Sequence, residues 1–214
     1  MHKNISIILA NTNRSKIYFN LLQKNNFFID NIVFYSKTKN SLFINLLKKY
    51  PNKGSFKFFN TDNINSKFIE KYIIKIKSKY ILFSGYNAEL LINKNILKKN
   101  LIHCHPGLLP KYRGSTVIYY SLIEMRKIYV SIFNVTNNID EGKVLFTKRF
   151  SLPKKMIDIE KNFDDQIRAK SLIFFLKSKK TKIISKNNKY INFYYIAHPI
   201  IRSIILNPKL LLES

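Results

Sequence analysis

Short β-branched apolar runs alternate with segments of helical period, and this alternation constrains the fold more than any other feature. Ile5 to Ala10 is a compact apolar run. Asn11-Thr12-Asn13 follows, then Ile17, Tyr18, Leu21 and Leu22 at helical spacing. The order is strand, loop, helix, with Asn or Thr suited to the cap. Ile32 to Tyr35 predicts a second strand, and Ser41 to Tyr50 a second helix stopped by Pro51. Phe56 to Phe59 predicts a third strand. Asn65 to Ser78 is expected as a helix with Phe68, Ile69, Tyr72, Ile73 and Ile76 along one side. Tyr80 to Phe83 is expected as a buried strand ending at Ser84-Gly85.

Beyond this, Leu101 to His103 is expected as a strand that runs into His105-Pro106-Gly107. A helix from Thr116 to Met125 follows, and then strands Val130 to Val135 and Lys143 to Phe150, which flank a tight turn and pair antiparallel. Strands alternating with helices imply an α/β protein: a Rossmann-like, mostly parallel sheet with helices on both faces. From Pro153 the texture changes. One amphipathic helix is expected over Ile159 to Leu176, then a Lys/Asn-rich stretch and an apolar segment from Tyr190 to Leu212. The expected division is a catalytic domain at 1–152 and a short helical extension at 153–214, packing on the core or on a partner. Parallel sheets bind ligands beyond the carboxyl ends of their strands. The places to search are Asn11 to Ser15, Ser84 to Glu89 and the segment after His103.

The formal net charge is +26, nearly all of it from lysine. Such a charge draws anions. The lysines are scattered and accompany abundant Asn and Ile, so they fit a biased codon usage better than a nucleic-acid stripe. Hydrophobic residues make up 46%, enough for a packed core and too many for a disordered chain. A single cysteine excludes a disulfide framework and fits a reducing cytoplasm. No apolar run reaches the roughly 18 residues of a membrane span.

His103 and His105 lie two apart, so if the strand extends to His105 they project to the same side. No Asp, Glu or further His at ligand spacing completes a metal set, and no metal is expected. His105-Pro106-Gly107-Leu108-Leu109-Pro110-Lys111-Tyr112-Arg113-Gly114 is too stiff for a mere connection. Asn138-Ile139-Asp140-Glu141-Gly142 is an acidic turn in a basic chain. One of its carboxylates is placed to meet the histidine and raise its pKa, making an acid/base pair.

Together these two segments resemble the formyltransferases that use 10-formyltetrahydrofolate. Ile81-Leu82-Phe83-Ser84-Gly85-Tyr86 is similar to the strand and loop of their folate pocket. The resemblance is strong from Tyr80 to Phe150 and weaker towards the amino terminus. It implies catalytic roles for His105 and Asp140, and a third for His103, where the family has Asn. An imidazole can still donate to the oxyanion. It implies that folate lies between Ser84, Gly85, Tyr86 and Asn87 on one side and Thr136, Asn137, Asn138 and Ile139 on the other. It implies a cis peptide at Leu109-Pro110, and Gly114 is expected in a conformation closed to side chains.

The resemblance implies an amine acceptor, expected to be a small molecule. Arg14, Lys111, Tyr112 and Arg113 are expected to bind it. Ala10-Asn11-Thr12-Asn13-Arg14-Ser15 has no glycine, so it makes a poor phosphate cradle for glycinamide ribonucleotide. Only about sixty residues follow the core, short for the tRNA-holding domain of methionyl-tRNA formyltransferases. The expected substrate is therefore a nucleotide-linked amino sugar or related cell-surface metabolite. The alternatives are methionyl-tRNA, glycinamide ribonucleotide, and a folate-binding protein that has lost catalysis. The apolar tail leaves oligomerisation open.

Overall fold

The structure is a computed structural model and describes residues 4–39, 41–87, 89–178 and 192–207. Nine strands are described: β1 (Ile5–Ala10), β2 (Ile29–Tyr35), β3 (Lys53–Phe59), β4 (Tyr80–Ser84), β5 (Leu101–His105), β6 (Tyr112–Gly114), β7 (Ile128–Asn134), β8 (Val144–Phe150) and β9 (Asn192–Tyr194). The helices are α1 (Asn13–Lys24), α2 (Ser41–Lys49), α3 (Lys67–Ile73), α4 (Lys94–Leu97), α5 (Val117–Met125), α6 (Asp164–Lys177) and α7 (Pro199–Leu206). Seven strands form one sheet in the order β3-β2-β1-β4-β5-β7-β8, with helices around it. The pairs β1–β2, β1–β4, β2–β3 and β4–β5 are parallel, and β7–β8 is antiparallel. This is the α/β, Rossmann-like architecture that the alternation of strands and helices requires. Strands β6 and β9 make a separate parallel pair.

The chain divides into two compact units. One comprises Met1–His103 with Asn134–Asn137, and the other Cys104–Phe133 with Asn138–Ser214. In the first, every residue of β1 is buried, which is why its run is unbroken rather than alternating. Thr12 caps α1 by accepting the Ser15 N–H at 3.1 Å, so the helix begins directly at the strand's carboxyl end. The core gathers Ile8, Val33, Ile69, Ile73, Ile81 and Leu101. In the second unit, Leu109, Phe133 and Val144 form a buried cluster, and Phe175 of α6 packs on Phe146 of β8.

Three expectations need correction. The helix over Asn65 to Ser78 is only α3: Ser66 caps it, Phe68 stays 77% exposed, and the chain leaves the helix after Ile74. Strand β5 extends two residues further than expected, to His105. The single helix over Ile159 to Leu176 opens instead with a wider π-helical turn, Ile159–Phe163, before α6. Most of the Lys/Asn-rich stretch and the ends of the final apolar segment lie outside the described residues.

Candidate active site

In the first unit the strand ends of β1, β2 and β4 converge on one loop. Ser84 is buried, its Oγ 3.0 Å from Ser15 Oγ. Arg14 donates to the Gly85 carbonyl at 2.8 Å, so its guanidinium buttresses the loop. Glu89 organises the backbone that follows. Its carboxylate accepts the Tyr86 N–H at 2.8 Å, the Ile64 N–H at 3.1 Å and the Tyr35 hydroxyl. Burial, then the Glu89 charge, pushes the Tyr35 phenol far up, so it remains a donor. A Cβ on Gly85 would lie 2.5 Å from Glu89 Oε2 and from the Phe83 ring, so the tight approach requires glycine. The Tyr86 hydroxyl donates to Asp62 at 2.9 Å. Asn87 is exposed, as is Asn137, while Thr136 is half-buried.

His103 belongs to this unit. Its Nδ1 lies 2.9 Å from the Phe83 carbonyl. A carbonyl only accepts, so Nδ1 carries the proton, and Nε2 carries a second one only in the imidazolium.

The second unit holds His105 and Asp140 together. His105 Nδ1 lies 3.3 Å from Asp140 Oδ2, and its Nε2 lies 2.8 Å from the Tyr112 carbonyl. The residue is 3% exposed, and its ring stands edge-on to Phe133. Gly107 makes room for it, since a Cβ there would sit 2.8 Å from Nε2. Ser131 pins the loop by accepting the Leu109 N–H at 3.0 Å and donating to the Gly107 carbonyl at 2.7 Å. The Leu109–Pro110 peptide is cis and Gly114 has φ +97°, both as expected. Asp140 itself sits at φ 54°, and its Oδ2 accepts the Gly114 N–H at 2.9 Å.

Both nitrogens of His105 thus face oxygen acceptors, but a neutral ring has one N–H. The contacts favour the imidazolium, and burial opposes it. The Asp140 carboxylate raises the histidine's pKa as expected, yet the net shift is downward. Burial dominates and lowers it, the Asp140 charge pulls it back up, and Arg168 lowers it further. The result is a base that rests neutral with two acceptors ready for the charge once it gains a proton.

The remaining expected residues fall in varied settings. Lys111 pairs with Glu124 at 3.1 Å, and Tyr112 is buried with its hydroxyl on Glu124 at 2.8 Å. Arg113 pairs with Glu141 at 2.9 Å, and Asn138 donates to Glu141 at 2.8 Å. Ile139 is 43% exposed. Asp164 and Arg168, at the i,i+4 spacing of a surface pair, bond bidentately at 2.9 and 2.7 Å. However, Arg168 is only 12% exposed and also reaches the Cys104 carbonyl at 3.4 Å, beside the histidine. Among the described residues no group of three or more His, Cys, Asp or Glu is gathered as a metal site needs. The roles of the Tyr112 carbonyl, the Gly114 N–H, Gly107 and Glu89 are not legible in the sequence. Only the glycines gave a signal, by recurring in a stiff loop.

A family model described as formyl transferase matches residues 5–168. A methionyl-tRNA formyltransferase of Finegoldia magna is 31% identical over 132 residues, covering 60% of this chain and 40% of that one. The chain therefore spans less than half the length of this relative. The phosphoribosylglycinamide formyltransferase of Streptococcus pneumoniae TIGR4 superposes with TM-score 0.60 at 16% identity, covering 83% of this chain and 98% of the other. The N-formyltransferase of Helicobacter canadensis, solved with folinic acid and dTDP-3-aminofucose, gives 0.55 at 13% identity, covering 90% and 71%. The two structures speak for the fold. The match to the family model, across most of the chain and through both the histidine loop and the Asp140 turn, shows that the chain belongs to the formyl transferase family.

Proposed function

We propose that the protein moves a formyl group from 10-formyltetrahydrofolate to a primary amine. The observation that carries this reading is the pairing of the buried His105 with Asp140, with Nδ1 3.3 Å from Oδ2 and the second ring nitrogen on a backbone carbonyl. A neutral amine attacks the formyl carbon, and the carbonyl oxygen becomes an oxyanion. His105, neutral at rest, takes up the proton that the amine releases. Asp140 is the more exposed of the pair, 12% against 4% of its side chain, and passes the proton. Return of that proton to the departing folate nitrogen completes the transfer and leaves an N-formyl product. We assign folate to Ser84, Gly85, Tyr86 and Asn87 together with Thr136, Asn137, Asn138 and Ile139. We assign the oxyanion to His103, whose Nδ1 is held by the Phe83 carbonyl.

Two measurements test the assignment. A stable formyl-tetrahydrofolate analogue should bind saturably in calorimetry, and its failure to bind a folded sample rejects the folate reading. His105→Ala and Asp140→Ala should each lower turnover by about 10²–10⁴-fold with the fold intact. Near-normal turnover in either rejects the pair as catalytic. His103→Ala should lower kcat by about 100-fold or more, as the loss of an oxyanion donor does. Near-normal kcat in that variant would remove His103 from the oxyanion.

For the acceptor we propose a nucleotide-linked amino sugar or related cell-surface metabolite. The first loop has no glycine to admit a phosphate closely, and Arg14 is committed to the Gly85 carbonyl. A second reading, methionyl-tRNA, is favoured by the 31% identity to such an enzyme and by the net charge of +26. Formylation assays with both classes of acceptor decide between them.

A further inference from the structure

Strand β6 has three residues, and both of its edges are in use. Along a strand, the backbone groups of successive residues point to opposite edges. Tyr112 and Gly114 share one edge, and that edge serves the site. The Tyr112 carbonyl lies 2.8 Å from His105 Nε2, and the Gly114 N–H lies 2.9 Å from Asp140 Oδ2. Arg113 faces the other edge, where β9 pairs with the register Arg113↔Phe193 and Gly114↔Tyr194. The Ser115 N–H continues that edge and donates to the Tyr194 carbonyl at 2.9 Å. Among the described residues β6 has no other strand neighbour.

Side chains fasten this pair of strands from one carboxylate. Glu124 of α5 accepts the Tyr112 hydroxyl at 2.8 Å on one oxygen and the Tyr194 hydroxyl at 2.6 Å on the other, with the Lys111 ammonium at 3.1 Å. The Tyr112 and Tyr194 rings stack at 5.5 Å and 23°. Thr116, next along the chain, accepts the Ala197 N–H at 2.7 Å, so the contact continues past β9. The closeness is strict: a Cβ on Gly114 would lie 2.1 Å from the Tyr194 carbonyl oxygen. A strand this short has little of its own to hold its position. The two backbone groups that aim His105 and Asp140 take their place from β9 and Glu124.

We propose that Tyr194 is a positioning residue for the His105–Asp140 pair, acting through Glu124 and the β6 backbone. The proposal rests on the reading that this pair moves the protons of formyl transfer. Tyr194→Phe keeps the ring stack and deletes one donor. Glu124→Ala deletes the common acceptor, and Glu124→Gln restores an acceptor oxygen. Each variant is read in two ways: by kcat and KM for the formyl donor, and by the ring nitrogen and ring N–H signals of His105 in NMR, which need no turnover. Small displacements of a catalytic group cost up to about 100-fold. Glu124→Ala should therefore lower kcat by about 10–100-fold with KM nearly unchanged, shift the His105 signals and speed exchange of its ring proton. Glu124→Gln should recover most of that loss, and Tyr194→Phe should show a smaller loss in the same direction. Unshifted His105 signals with wild-type kcat in a folded Tyr194→Phe or Glu124→Ala protein would overturn the proposal. Should Glu124→Ala fail to fold, Tyr194→Phe decides by itself. If the wild-type protein shows no formyl transfer, the catalytic reading falls separately. The ring signals then decide positioning, shifted in its favour and unshifted against it.

Discussion

At the scale of single residues, His105 shows how burial and partners compete. Its pKa lies below the ordinary 6.5 because burial outweighs the attraction of Asp140. Above pH 6.5 the ring is neutral whether the protein is folded or unfolded, and it adds no pH dependence. As pH falls below that value, the unfolded chain takes a proton that the folded one resists, so stability drops. The drop continues until the folded ring also protonates. Urea unfolding at several pH values between about 5 and 8 should show this decline in the wild type and a shallower one in His105→Gln. Equal slopes in the two proteins would mean that the contacts to Asp140 and Tyr112 balance burial, and a shallower decline in the wild type that they outweigh it. The same ring is legible in the sequence as a catalytic candidate, because the stiff loop and the acidic turn are both visible there. The sign of its shift is not, because it depends on Phe133, Arg168 and the Tyr112 carbonyl, which folding brings from elsewhere.

Among the elements, the β4 loop depends on one side chain. Glu89 takes two backbone N–H groups and the Tyr35 hydroxyl. Glu89→Ala leaves these donors without their acceptor and should destabilise the protein by about 1–3 kcal/mol or more. It should also weaken binding of a formyl-tetrahydrofolate analogue while leaving kcat at saturating donor nearly unchanged. Denaturant unfolding together with calorimetry checks both, and wild-type stability would remove Glu89 as the organiser. Periodicity marked β1, α1, α2, β4 and the β7–β8 pair, since each is written in a local apolar pattern. It overextended α3, because Ile76 continues the helical spacing although the chain has already left the helix after Ile74. It could not find β6 or β9. Three residues carry no period, and their pairing joins Tyr112 to Asn192 across a long stretch of chain. The wider turn at Ile159–Phe163 was hidden for a related reason, since its apolar residues satisfy the same spacing as an ordinary helix.

On the scale of the whole molecule, the charge of +26 is the dominant property. A chain so basic attracts polyanions whether or not it has a site for them. Generic RNA should bind at low salt and lose affinity by about 10³-fold or more between about 50 and 200 mM salt, as phosphate contacts are screened. A filter-binding series across that range checks this. Affinity for initiator tRNA that survives the higher salt would mark a built nucleic-acid surface and raise the methionyl-tRNA reading above the amino-sugar one. Among the described residues no helix is long and apolar enough to cross a membrane.

The two edges of β6 also restrict how this loop can change in length. One inserted or deleted residue between the Tyr112 carbonyl and the Gly114 N–H would put those two groups on opposite edges, and the histidine or the aspartate would lose its backbone partner. A change of two residues preserves the parity. Across descendants of this chain, that segment should therefore tolerate length changes in even steps and reject odd ones, whatever side chains it carries.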